Sequence, residues 1–489
     1  MNSADVSVGR PASAGRSVMT AILALSLAAC GGGGGGGGGP VAGGGGGTAG
    51  TPTPSPCAIS NQIAFADDVL DEWYLFPNLL DNSVNPASFT TVQSFLDARV
   101  APARAQQRDQ GFTFATSIAE ENALIDSGAS AGFGIRLAYD TTNDRVFLFE
   151  AFENGPAFPA GMDRGTELLA IGTDTANLQL VSSLMASGGP QAVINALGPN
   201  DDGVTRVLRF RQTSGTVIEA SIAKTTFSLN PISDRYGALI INDNGKNVGY
   251  LNFRTFFPSS ADDQLRDAFQ LFNANGVDEL IIDFRYNGGG LVFLANVFGD
   301  LLNDGRTGQV WSNTILRDSK SSENETRLIQ NEVQALQPTK IAFIGTGNTA
   351  SASELVINSM LPYLNDADVA LIGRNTSGKP VGQFAFDFDQ CDLRVRAVTF
   401  QTVNADNEGD YFTGLAGVMP NTCRAIDDIF RPLGDPQEDS IATALDFLAG
   451  RSCTAISGSN VRTTQSATQR LPLRGAEMSA AQYEIPGLF

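Results

Sequence analysis

The sequence predicts an α/β protein with a largely parallel sheet, on three observations. From Val248 onward, short apolar runs of strand character alternate with stretches of helical period. Two of these strands run directly into turns of glycine or small residues, Gly288-Gly289-Gly290 and Gly345 to Ala350. The period also changes upstream, helical from Cys57 to about Asp126 and strand-like from about Ala131, so further domains precede the α/β part.

Within the α/β part, 248–253 reads as a strand, 261–274 as a helix, 279–285 as a buried strand and 291–302 as a helix. The strand 340–345, the helix 353–364, the strand 369–373 and a closing helix 438–448 follow. Sites in such sheets lie at the carboxyl ends of strands, so the glycine run and Ser351, each between a strand and a helix, can face one crevice. Upstream, Ala64, Val69, Leu70, Trp73, Tyr74 and Leu75 return to one helical face, while Asp67, Asp68, Asp71 and Glu72 take the other. A second helix is expected near Phe89 to Ala98, and strands at Gly132 to Leu137, Arg145 to Phe152 and Arg206 to Arg211.

Arg10 and Arg16 precede the apolar run Val18 to Ala29, too short to span a membrane but suited to a secretory signal. The run ends in Leu27-Ala28-Ala29-Cys30, which resembles a bacterial lipoprotein signal; the resemblance implies cleavage before Cys30 and lipidation of its thiol. The expected location is the cell envelope, membrane-anchored and facing the periplasm. Residues 31–56 are rich in glycine and proline and form a tether about 25 to 30 Å long in the coil state. The organisation is therefore 1–30 signal, 31–56 linker, 57–128 helical domain, 129–226 β domain, 227–450 α/β domain and 451–489 a mobile tail rich in Ser, Thr, Gln and Ala.

The 489 residues include 52 acidic and 32 basic side chains, a net charge of −20 that is the wrong sign for a nucleic-acid partner. Apart from Cys30, the cysteines are Cys57, Cys391, Cys423 and Cys453, an even number suited to two disulfides in an oxidising compartment. Cys391 with Cys423, and Cys57 with Cys453, is the expected pairing. With no histidine and no Cys-x-x-Cys spacing, a zinc site is not expected, nor any other metal or cofactor.

The absence of histidine also excludes a Ser-His-Asp triad, so an activated serine needs another base. Arginine does not deprotonate in proteins. Lysine is the substitute, and the chain has only Lys224, Lys246, Lys320, Lys340 and Lys379. Ser351-Ala352-Ser353-Glu354 opens a helix, and Thr376-Ser377-Gly378-Lys379-Pro380-Val381-Gly382-Gln383 follows the next strand. The bland alternatives are a helix cap at Ser351 closed by Glu354, a surface lysine at Lys379, and Ser353 as a rival nucleophile. Asp283 and Arg285 read as a structural ion pair fixing the glycine turn.

The order and spacing of Asp283 to Gly290, Ser351 to Glu354 and Gly378 to Gln383 resemble the C-terminal processing peptidases, or tail-specific proteases, over roughly residues 60 to 450. The resemblance implies a crotonase/ClpP-like α/β catalytic core with an inserted PDZ-like β domain and an N-terminal helical domain. Ser351 would be the nucleophile, Lys379 the general base and Gln383 the residue orienting the lysine. The backbone N–H groups of Ala352 and of Gly288 or Gly289 would form the oxyanion hole. Residues 129–226 resemble a PDZ domain, and Gly132-Phe133-Gly134-Ile135 would be its carboxylate-binding loop. The implied activity is that of a serine endopeptidase acting through an acyl-enzyme on proteins recognised by their C-termini. The same fold also serves ligand carriage in interphotoreceptor retinoid-binding protein, so a catalytically silent lipoprotein that binds apolar ligands or peptide tails is the alternative. An acyl-CoA enzyme of the crotonase type is a third.

Overall fold

The computed structural model describes residues 55–456, 478–485 and 487–489. Cys30, the signal and nearly all of the linker lie outside the described residues. Among the described residues, no helix is long and apolar enough to cross a membrane.

The centre is a six-stranded sheet in the order Ala238–Asp243, Lys246–Asn252, Glu279–Asp283, Lys340–Gly345, Val369–Gly373 and Thr422–Arg424. Only the first pair is antiparallel. Apolar residues on both pleats explain why these strands are buried on both faces. Leu280, Ile282, Ile341, Phe343 and Leu371 point into a core shared with the helices Ala261–Ala274, Val292–Leu301 and Ala352–Met360. Ile281, Ala342, Ile344, Ala370 and Ile372 point the other way, against the helix Asp439–Leu448. The helix expected over 353–364 ends earlier, at Met360, where Pro362 turns the chain into the short 3-10 segment Leu361–Tyr363.

A second sheet joins Phe114–Thr116, Val381–Phe388, Leu393–Val403, Val310–Leu316 and Glu325–Leu328. The helices Ile59–Trp73 and Val92–Arg99 pack on it, sharing one cluster with Val381, Val395 and Val398. The strand that follows Lys379 thus packs against the N-terminal helices.

Inserted between them is a β module of Ile135–Asp140, Arg145–Ala151, Glu167–Gly172, Thr205–Arg211 and Val217–Ala223, covered by the helix Val181–Leu197, which breaks at Gly189. Entry and exit strands, Ala129–Gly132 and Thr225–Ser228, pair antiparallel and close the module at its neck.

Two expectations are corrected. The disulfides are Cys57–Cys391 and Cys423–Cys453, each with Cα atoms 5.4 Å apart. Cys391 ends the tight turn between two strands of the second sheet, where Phe388 stacks on Phe65 of the first helix and brings Cys57 alongside. Cys423 lies on the last strand of the central sheet, and Cys453 follows the helix packed on that sheet's face. Cys391 and Cys423 belong to different sheets, and Cys423 joins instead its nearest cysteine in sequence, Cys453, 30 residues on. The stretch 451–489 is also not wholly a mobile tail: residues 478–485 and 487–489 pack against the body, with Ala480, Ala481, Ile485, Leu488 and Phe489 buried. The apolar residues at its end outweigh its polar composition.

Non-reducing digestion should yield linked peptides containing Cys57 with Cys391 and Cys423 with Cys453; a Cys391 to Cys423 link would contradict this arrangement. Closing the long loop from 57 to 391 makes the first bridge the larger stabiliser, so Cys57→Ser with Cys391→Ser should cost on the order of 2 to 5 kcal/mol in urea unfolding.

Candidate active site

The turn after Glu279–Asp283 is anchored by buried charge. Arg285, fully buried, pairs with Asp283 at 2.8 Å, Glu438 at 2.9 Å and Asp427 at 3.2 Å. Tyr250 donates to Asp283 at 2.8 Å. The structural ion pair expected at Asp283 and Arg285 is present, extended by Glu438 from the closing helix, which no local sequence signal indicated. From this anchor the chain runs through Tyr286 and Asn287 into the three glycines.

Asn287 sets the glycine turn. Its side-chain nitrogen donates to the Phe253 carbonyl at 2.8 Å, and its Oδ1 accepts the N–H of Gly289 at 2.9 Å. Of the two glycines expected as oxyanion donors, Gly289 therefore has its N–H engaged, while that of Gly288 has no partner among the described residues. Gly289 (φ 107°) must be glycine, because a Cβ there would stand 2.7 Å from the Ser351 Cβ. That closeness brings the glycine turn and the serine together.

Ser351 precedes the helix Ala352–Met360 with φ 55° and ψ −118°, a conformation rarely adopted by non-glycine residues and costing about 1 to 3 kcal/mol. The surroundings over-determine it. The N–H of Ala350 donates to the Asn287 carbonyl at 3.1 Å, the Ser353 hydroxyl to the same carbonyl at 3.0 Å, and the N–H of Ser351 to the Glu354 carboxylate at 3.1 Å. Ser353 is thereby committed inside the core, and Ser351 is the serine on the turn. Ala352 begins the helix, its N–H among those with no partner within a helix's first turn.

Glu354 does more than start the helix. It is completely buried, and its carboxylate also accepts the N–H groups of Gly378 and Lys379, both at 2.8 Å. One carboxylate thus ties the backbones of Ser351 and Lys379 together. Burial pushes its carboxyl up to about 7 against the hydrogen bonds from Thr376, Lys379, Gly378 and Ser351.

Lys379 is 8% exposed, and burial lowers its pKa, opposed by Glu484, Asp109 and Glu354 and assisted by Arg396. Its Nζ lies 5.1 Å from the centre of the Phe112 ring. Phe112 is supplied by the N-terminal region, where Asp109 caps its loop by accepting the N–H of Phe112 at 2.7 Å and of Thr113 at 3.1 Å. Gln383 lies in the same place, but its side-chain nitrogen donates to the Phe112 carbonyl at 2.6 Å rather than to the lysine. It fixes the aromatic wall beside Lys379. Phe112 is a site residue that sequence reasoning missed, since nothing at that position relates it to a lysine so far along the chain.

Gly132 to Ile135 lie in the inserted module, away from Ser351, with Gly134 held against Gly155 and the Phe133 carbonyl accepting the N–H of Ala157 at 3.1 Å. The next residue links the two regions. The guanidinium of Arg136, fully buried, pairs with Glu150 at 2.8 Å and donates to the Tyr286 carbonyl, just ahead of the glycine turn.

The mixed α/β core thus places a serine at a strained strand-to-helix turn, a glycine turn against it, and a buried lysine just ahead of a strand of the second sheet. Residues 247–422 match the model of Peptidase family S41. It is 24% identical over 279 residues to the carboxyl-terminal-processing protease of Picosynechococcus, covering 56% of this chain and 61% of that protein. It is 25% identical over 287 residues to carboxyl-terminal-processing peptidase 2, chloroplastic, of Arabidopsis thaliana, covering 56% and 50%. The chain thus spans between half and about three-fifths of the length of these relatives. The solved structure of a candidate S41 protease from Bacteroides fragilis matches with a TM-score of 0.60 at 25% identity, covering 79% of this chain and 97% of that one.

The raised value at Glu354 fixes a pH dependence. Its folded-state pKa of about 7 exceeds the ordinary 4.5, so the native state holds the proton longer. The resulting stabilisation is complete below 4.5 and lost as pH rises toward 7, up to about 3 kcal/mol. The stability difference between the unaltered protein and Glu354→Gln, from urea unfolding at successive pH values, should shrink by that order from pH 4.5 to 7; a flat difference would contradict it.

Proposed function

We propose that the chain is a serine endopeptidase of the carboxyl-terminal-processing type. Lys379, neutral at its Nζ, takes the proton of the Ser351 hydroxyl as Oγ attacks the carbonyl carbon of a substrate peptide bond. The carbonyl oxygen becomes an oxyanion held by the N–H groups of Ala352 and Gly288, each such donor worth on the order of 3 kcal/mol. Collapse breaks the C–N bond, and the leaving amine takes the proton from Lys379. Water, deprotonated by the same lysine, then hydrolyses the Ser351 ester.

The observation that carries this reading is the Glu354 carboxylate, which accepts the N–H groups of both Ser351 and Lys379 and so holds the two elements in register. Burial of the lysine supports the base role, because a solvated lysine is protonated near neutral pH. Gln383 contributes by fixing Phe112 against Lys379. Substrates are proteins with exposed C-termini, taken by the PDZ-like module at Gly132 to Ile135 through strand addition. The run ending in Cys30 supports a lipid anchor facing the periplasm.

Incubated with unfolded protein substrates across pH, the body from residue 57 should cleave with a rate that rises as Lys379 loses its proton. Ser351→Ala, Lys379→Ala and Lys379→Arg should each lose cleavage by at least about a thousandfold, arginine failing because it keeps its proton. Mass spectrometry should trap an acyl adduct only where Ser351 is present. Equal cleavage by Ser351→Ala and the unaltered chain would remove this reading.

A further inference from the structure

The open edge of the inserted module is occupied by this chain itself. The segment Gly487 to Phe489 lies antiparallel along the strand Ile135–Asp140, with Leu488 opposite Arg136. The N–H of Phe489 donates to the Ile135 carbonyl at 2.9 Å, that of Ile135 to the Phe489 carbonyl at 3.0 Å, and that of Leu137 to the Gly487 carbonyl at 3.4 Å. The Phe489 ring joins the module's core with Phe133, Ile135, Met185, Val193 and Leu197. Leu488 turns the other way, toward Leu124, Phe227, Phe257 and Ile485. Gly132 admits this arrangement, since a Cβ there would stand 2.8 Å from the Phe489 carbonyl carbon.

The preceding residues reach the base. In the helix Ala480–Glu484, Tyr483 stacks on Phe114 with centroids 4.2 Å apart, and the N–H of Ala480 donates to Glu120 at 3.1 Å. Gln482 donates to the Leu488 carbonyl at 3.1 Å, tying helix and added strand into one unit. Glu484 is the charge that acts most strongly on Lys379, and burial raises the pKa of its own carboxyl.

We propose that residues 478–485 and 487–489 are a ligand held in cis, filling the peptide groove of the inserted module, so that a substrate must displace them with a segment carrying a large apolar or aromatic side chain at the Phe489 position. The activity consequence rests on the peptidase reading; the occupancy of the groove does not. Tethering makes the segment an intramolecular competitor, whose effective concentration exceeds that of dilute free peptide. Free peptides below that concentration compete poorly while the segment is in place. The burial of the Phe489 side chain in the module's core makes its position the dominant specificity contact.

A fluorescent peptide of residues 482–489 is titrated, by anisotropy, against the full chain, the same chain ending at Ile456, and the full chain carrying Leu488→Asp with Phe489→Asp, with folding checked by circular dichroism. Both altered chains should bind it at least tenfold more tightly than the unaltered one. A peptide variant with aspartate at the Phe489 position should lose that binding. Cleavage of a short apolar-ended peptide at micromolar concentration should rise about tenfold in both. Equal binding to all three chains, or no binding to either folded altered chain, overturns the proposal. A binding difference with no cleavage by any chain would sustain the cis ligand and remove the peptidase reading instead.

Discussion

A single buried carboxylate holds the site together. Ser351 sits at the amino end of one helix and Lys379 at the start of a strand in a different sheet, and neither element alone fixes its distance from the other. Glu354 spans the gap by accepting N–H groups from both sides. Burying an acid without hydrogen bonds is costly, but three main-chain donors offset much of that cost and specify the geometry. The strained backbone at Ser351 persists for the same reason: relaxing it would withdraw one of the donors and move the turn away from Gly289.

A comparable constraint holds the glycine turn. Arg285 is surrounded by Asp283, Glu438 and Asp427, so three segments distant in sequence converge on one guanidinium. Desolvation offsets much of the attraction within the intact cluster, so its role is to fix shape, whereas losing one partner leaves a buried charge uncompensated and is strongly destabilising. Arg164 pairs with Asp427 and hydrogen-bonds the Tyr286 hydroxyl, while Arg136 reaches the Tyr286 carbonyl from the strand that receives Gly487 to Phe489. The edge strand of the inserted module and the glycine turn are therefore joined through buried contacts.

The alternation of strands and helices after Val248 was legible because each parallel strand is apolar on both pleats and each helix carries one buried face. The motif residues around Ser351 and Lys379 were legible because the histidine-free composition leaves few bases. The disulfide pairing was not, since it depends on which sheet receives Cys391, a long-range fact absent from local spacing. Glu354 could be read as a helix-start acid, but not as the acceptor for Gly378 and Lys379. Phe112 carries no signal at all, because its role arises only when the N-terminal helices close on the strand after Lys379. The segment 478–489 was misjudged because its serines and alanines outweighed Ile485, Leu488 and Phe489 in composition, whereas three well-placed apolar side chains suffice to dock a tethered strand.

The electrostatics of the pocket follow from the same closure. Lys379 is flanked by an aromatic face and by the charges of Glu484, Asp109, Arg396 and Glu354. Burial favours the neutral amine, and each ionised carboxylate favours the charged one. Removing Glu484 withdraws the carboxylate that most strongly favours the ammonium, yet it also opens the pocket to water, which restores solvation of the charge. Glu354 cannot leave with the segment, and its three N–H donors favour its ionised form against a burial that raises its pKa to about 7. The protonation of Lys379 is thus set by burial against carboxylates of different kinds, among them Glu354, fixed in the α/β core, and Glu484, carried on the docked segment 478–485.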